Sequence, residues 1–248
     1  LVALAAMLLP PHTPPTARTA MWTSLHGGFR YAIEFAPIRA ILLMVAVASL
    51  TGMPLTVLMP VFASQTLGGG PETMATLMSS MGIGALASAV YLTSRPSVLG
   101  LGKHIAFAAC GFGLGMILFS WSRSLWFSVP ILVGTGFCMM LQLASSNTML
   151  QTIVDEDKRG RVLGLYAMSF LGVGPLGSLA AGFVAEQIGA GNTVRIAGAF
   201  CLVAGLVFRL RLPKLREKVR PIYRRLGILP EVTTAVEVSS QLNMPPEH

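Results

Sequence analysis

SLWFSVPILVGTGFCMMLQLASSNTMLQTIV, residues 124–154, contains no Asp, Glu, Lys, Arg or His, and it lies between Arg123 and Asp155. As an α-helix it would reach roughly 45 Å at 1.5 Å per residue. The hydrocarbon core of a bilayer is about 30 Å thick, so this stretch is long enough to cross it. A helix on the surface of a soluble domain carries a charged face, and this one has none. Strict alternation of apolar and polar residues, the mark of a transmembrane strand, is also missing.

Five further uncharged runs share these properties: Ala40–Ala63, Thr73–Ser94, Ile105–Ser122, Val162–Ala185 and Ile196–Phe208. The last is short, but Arg195 and Arg209 can extend their charges outward from its ends, so Arg195–Leu212 suffices to span. Only helices and closed barrels satisfy backbone groups in lipid. The chain is therefore expected to be all-α and polytopic, a six-helix bundle. Composition agrees, with 53% hydrophobic and 11% charged residues against about 25% charged in soluble domains.

The net charge of +8 would suggest nucleic acid in a soluble protein, but most of the excess lies between Arg209 and Arg225, directly after a span. That placement reads as an anchor on anionic lipid, with no nucleic-acid partner. If residues 10–38 are cytoplasmic, every Lys and Arg except Arg123 and Arg195 falls on the inner side. The opposite assignment inverts the positive-inside rule. A cell (inner or plasma) membrane protein with a cytoplasmic C-terminus follows. The expected organisation is the end of a truncated helix over 1–9, a cytoplasmic linker over 10–38, the transmembrane domain over 39–212, and a basic, partly disordered tail over 213–248. The linker segment Leu25–Tyr31 reads as amphipathic, and Pro213–Arg220 as a short surface helix.

Chemistry-bearing residues are few. Cys110, Cys138 and Cys201 lie in apolar runs and read as small buried hydrophobes. No Cys/His spacing suggests a metal site, and no acid or His is placed to activate a nucleophile. Neither a cofactor nor an enzyme activity is expected. The polar residues of the fourth run (Gln142, Ser145, Ser146, Asn147 and Gln151) should face the bundle interior, either bonding another helix or lining a cavity. Asn147, Gln142 and Gln151, with Met53 as a pliable apolar wall, are the cavity candidates. Gly174, Pro175 and Gly177 weaken the fifth helix in mid-membrane, and Pro54 and Pro60 do so in the first. Gly111/Gly115, Gly84/Ser88 and Ser178/Gly182 are small-residue pairs for close packing or for sliding. In the loop Asp155–Arg161, Asp157 is a cap candidate. Asp157, Lys158, Arg159 and Arg161, with Arg95 and Lys103 of the loop after the second run, serve either a cytoplasmic gate or solvated positive-inside loops.

Several strings together resemble the major facilitator superfamily: Asn147-Thr148-Met149-Leu150-Gln151, Arg159-Gly160-Arg161-Val162, Gly174-Pro175-Leu176-Gly177 and Ala181-Gly182. They look most like the branch holding macrolide-efflux and enterobactin-export proteins. Gly28-Phe29-Arg30-Tyr31, Pro37-Ile38-Arg39 and Leu58-Met59-Pro60-Val61-Phe62-Ala63 are similar to that branch's approach to its seventh helix. The resemblance implies a bundle equivalent to the second half of a twelve-helix fold, with an N-terminal six-helix half as partner. It also implies export of a small amphipathic molecule, a drug or a siderophore-like compound, by alternating access. Asp157-Lys158-Arg159-Gly160-Arg161 approximates the superfamily's cytoplasmic acid–base–x–Gly–Arg string. The usual second-half location keeps Arg95, Gly100, Gly102 and Lys103 but lacks the acid. The antiporter signature would lie in the partner half, as would any ionisable coupling group, since the six runs have none. The alternative is a membrane scaffold or an inactive half that transports nothing.

Overall fold

The structure, a computed structural model, describes residues 30–95 and 99–225 of the 248. The expectations for Leu1–Leu9, for the linker up to residue 29, for Pro96 and for residues 226–248 lie outside the described residues. A helical turn at residues 30–34 leads into α1 (Ala36–Val61), which ends in a π-helical turn, Phe62–Thr66. There follow α2 (Pro71–Thr93), α3 (Leu101–Trp121) and α4 (Leu125–Ile153). The fifth span is divided into α5 (Glu156–Ala167), a π-helical turn Met168–Gly172, and α6 (Gly174–Ile188). α7 (Ala190–Arg225) completes the bundle. Among the described residues, six stretches are long and apolar enough to cross a membrane, one for each uncharged run, and no strand occurs.

The chain reverses abruptly between α6 and α7. Gly189, at φ 83°, is the single residue between them, and a side chain there would be strained. In space the helices form a row of neighbours, α2–α4–α3–α7–α1–α6, bent so that α1 also touches α4. The middle of the row is covered and its ends are open. The apolar windows of α1 and α3 are each 56% buried, against 22% for α2 and 17% for the fifth span.

Lipid is as apolar as leucine, so close packing rather than hydrophobic transfer must hold such helices together. On α7 the buried residues Val194, Gly198, Cys201, Gly205, Phe208 and Leu212 recur at alternating steps of four and three. That heptad spacing keeps one seam against a neighbour. Gly198 meets Gly113 of α3 backbone to backbone, and Gly205 meets Cys110 and Ala109. Gly111 and Gly115 point elsewhere, to Cys138 and Thr135 of α4, so the expected GxxxG pair serves α4 while Gly113 serves α7. On the other side of α4, Gly136 lies against the backbone of Met81, and Gly84 against Val133 and Phe137. A Cβ at Gly182 would meet nothing within 4 Å, so that glycine is not needed for a close helix crossing within this bundle.

Two expectations are corrected. The residue at the N-cap position of α5 is Asp155; Asp157 lies in the first turn, and no side chain makes a cap bond. The last helix does not stop near Leu212 but continues through Pro213 and Pro221 to Arg225. Glu217, four residues back from Pro221, is exposed beyond the apolar part of α7, so water can take the carbonyl that this proline leaves without a donor.

Candidate functional site

Most hydroxyls in the spans bond back to the preceding turn, as Thr51 does to Val47, Ser80 to Thr76 and Thr135 to Ile131. This is the ordinary way to satisfy a hydroxyl in lipid. The polar stretch of α4 departs from it. Gln142, Ser145 and Ser146 are fully buried. Gln142 Nε2 donates to the Met44 carbonyl of α1 at 2.9 Å, but its Oε1 and the hydroxyls of Ser145 and Ser146 have no partner. Spacings of three and four put all three residues on one side of the helix. Asn147 is half-buried and Gln151 exposed. Gln142 therefore ties α4 to α1, while Asn147 and Gln151 follow a second, more open line. Tyr166 of α5 also holds α4, through a 3.1 Å bond from its hydroxyl to the Leu143 carbonyl.

The Pro54 region of α1, which stays helical, meets the break in the fifth span. Pro54 has no N–H for the Leu50 carbonyl four residues back, and Gly177 packs against that carbonyl. Pro175 likewise offers no N–H to Leu171, four residues back, or to Phe170, five back. The Ser49 hydroxyl of α1 donates to the Phe170 carbonyl instead. Met53 lies against Gly174, where a Cβ would come within 2.8 Å of its Cγ. Met53, Gly174 and Gly177 are thus brought into one contact, with Pro54 and Pro175 beside it in sequence. Ser49, which holds it, was not singled out from the sequence; an isolated serine in an apolar run carries no signal of a partner 121 residues away.

These features form one constellation: six spans, a polar stripe with unused bonding capacity, and a broken helix stitched to its neighbour. A family model described as transmembrane secretion effector matches residues 1–240. The chain belongs to this family. It is a multi-pass membrane protein of the major facilitator transporter type, and it is of a transporter rather than an enzyme class. The chain matches no curated protein.

In this secretion effector family member most of the charged residues lie at one end of the bundle, in separate groups, with Glu72, Arg123, Glu186 and Arg195 at the other. Arg95, after α2, places Nη1 at 2.6 Å from Nε2 of His104 on α3, and the Tyr91 hydroxyl is 3.2 Å from the same nitrogen. At α5, Lys158 and Arg159 pair only locally, with Asp155 at 3.5 Å and Glu156 at 3.9 Å. Asp157 and Arg161 are exposed, and Lys103 lies at the start of α3. Among the described residues, no ion pair joins the α5 group to Arg95 or Lys103. What crosses between elements is a cation–π contact, with Lys158 Nζ 4.6 Å from the ring centre of Tyr31.

Burial raises the Tyr31 phenol above its ordinary range. The carboxylates of Asp155 and Asp157 add to this and Lys158 opposes it, so the ring stays neutral at physiological pH. Tyr31→Leu keeps the apolar contact and removes the ring, at a cost of about 0.5–1 kcal/mol. Amide exchange over residues 155–162 is then expected to quicken by roughly two- to fivefold. An unchanged exchange rate would show that the contact holds nothing.

Proposed function

We propose that this chain forms the second half of an exporter that moves a small amphipathic molecule across the cell membrane by alternating access. The observation that carries the reading is the exposed break in the fifth span. That span is the least covered of the six, and Gly172 and Pro175 are exposed at its break. Non-helical backbone at membrane depth is tolerated only where it meets protein or a water-filled cavity. The open ends of the row, α2 and the fifth span, therefore call for a second bundle enclosing a cavity. The partner in this reading is an N-terminal six-helix half. The charge distribution supports an orientation with both ends of the six-helix unit in the cytoplasm.

Asn147 and Gln151, on the more open line of α4, would face that cavity and offer bonds to polar groups of the cargo. Gln142 would face it only when α1 and α4 separate. Because the uncharged runs hold no Asp, Glu, Lys, Arg or His, the coupling charge is assigned to the partner half. A drug or a siderophore-like compound fits such a neutral, Met-containing wall.

The test is accumulation of candidate drugs and siderophores in cells with and without the protein, each with and without an uncoupler. Loss of the protein should raise accumulation of at least one compound, and the uncoupler should abolish the difference. Asn147→Leu should lower transport of that compound about tenfold while leaving protein abundance unchanged, for one polar contact of about 1.4 kcal/mol. Unaltered accumulation across the whole panel would remove the export reading. Unaltered transport by the variant would remove Asn147 from the cavity.

A further inference from the structure

At the basic end of the bundle, α1, α3, α4 and α7 enclose a groove of about 540 Å³, within the range of ligand sites. Its walls are apolar: Pro37 and Ile41 of α1, Met149 of α4, and Phe208, Leu212 and Val219 of α7. Its rim is cationic. Lys103, Arg216 and Arg220 line it against a single acid, Glu217. All four are exposed, and among the described residues none of them is in an ion pair.

Depth decides what such a groove can hold. The 36 residues of α7 extend about 54 Å at 1.5 Å per residue, some 24 Å more than a hydrocarbon core of ~30 Å. With the far end of α7 at the opposite interface, the hydrocarbon ends at about residues 210–215. Phe208 and Leu212 then lie at acyl-chain depth, and Arg216 and Arg220 at headgroup depth. Lys103, in the first turn of a 21-residue span, comes to the same level. The uncapped start of α3 adds its positive helix end there.

We propose that this groove is a binding site for one anionic phospholipid of the leaflet on the basic side. An acyl chain would lie along Ile41, Phe208 and Leu212, and the phosphate among Lys103, Arg216 and Arg220. A free phosphate matches the rim but not the walls, and a zwitterionic lipid matches the walls but gains little from the surplus of cations. The site rests on the membrane placement of the helices, not on the direction or cargo of transport.

The experiment is native mass spectrometry of the full chain, purified and equilibrated with mixed micelles of phosphatidylglycerol and phosphatidylcholine. One phosphatidylglycerol should stay bound in preference to phosphatidylcholine, and millimolar inorganic phosphate should not displace it. Each cation near a membrane surface contributes roughly fivefold in affinity, so K103Q/R216Q/R220Q should weaken retention about a hundredfold. Glu217→Gln removes the acid and should strengthen retention roughly fivefold, a gain that damage to the fold cannot mimic. Equal retention of the two lipids, displacement by phosphate, undiminished retention by the triple variant, or weaker retention by Glu217→Gln would each overturn the assignment.

Discussion

Gly84→Ala and Gly136→Ala are each expected to destabilise the bundle by about 1–3 kcal/mol, whereas Gly82→Ala and Gly134→Ala should leave it unchanged or stabilise it by up to about 1 kcal/mol. The four glycines form two pairs, on α2 and on α4, with members two residues apart. A Cβ at Gly84 would strike the Val133 carbonyl and lie 2.8 Å from the Phe137 nitrogen. One at Gly136 would strike the Met81 carbonyl and lie 2.8 Å from the Met81 Cα. Both obstacles are backbone, which cannot rotate away, so α2 and α4 must move apart along the interface. Gly82 and Gly134 have nothing within 4 Å, and alanine there only removes the conformational freedom that glycine brings to a helix. Thermal unfolding of the four variants in one detergent gives the comparison. A similar loss at all four positions would mean that glycine acts here through helix flexibility, and the close crossing would carry no special weight.

The same contrast shows where the sequence could be read and where it could not. Uncharged length identifies a span without knowledge of its neighbours, and each of the six runs marks one crossing. Small-residue spacing identifies a face, but not the helix that the face meets. Gly111 and Gly115 share a face, yet their neighbour is α4, and the backbone contact with α7 is made by Gly113, which lies between them. The heptad steps from Val194 to Leu212 were available as a pattern, and they identify the seam of α7. The boundary at Leu212 rested on span length and on the charge that follows, and neither says whether the helix itself stops there. The helix runs through Pro213 and Pro221 to Arg225. The polar stripe of α4 was visible at once, but residue type could not distinguish Gln142, bonded to α1, from half-buried Asn147 or exposed Gln151. That choice depends on helix rotation, which packing sets. The break around Gly174-Pro175 was legible as a weak point, while the hydroxyl that supports it arrives from another helix.

That hydroxyl permits a test in which two substitutions should fail to add. Ser49→Ala removes the donor to the Phe170 carbonyl and is expected to cost about 1–2 kcal/mol, the upper range for a single bond between membrane helices. Pro175→Ala returns an N–H to the fifth span. The π-helical turn Met168–Gly172 can then relax to α register, with the Gly174 N–H serving Phe170 and the restored N–H at position 175 serving Leu171. In that background Ser49→Ala should cost no more than about 0.5 kcal/mol, a coupling of at least about 0.5–1.5 kcal/mol between residues on different helices. Equal costs in the two backgrounds would mean that Ser49 and Pro175 act independently. The functional consequence runs in the opposite direction from stability. A continuous fifth helix should be more stable and less able to bend during alternating access, so Pro175→Ala is expected to raise the unfolding temperature and slow transport by about tenfold, or 1.4 kcal/mol on the barrier. Faster or unchanged transport would make the break a packing feature of the α1 contact. A slower but more stable variant would identify it as the hinge.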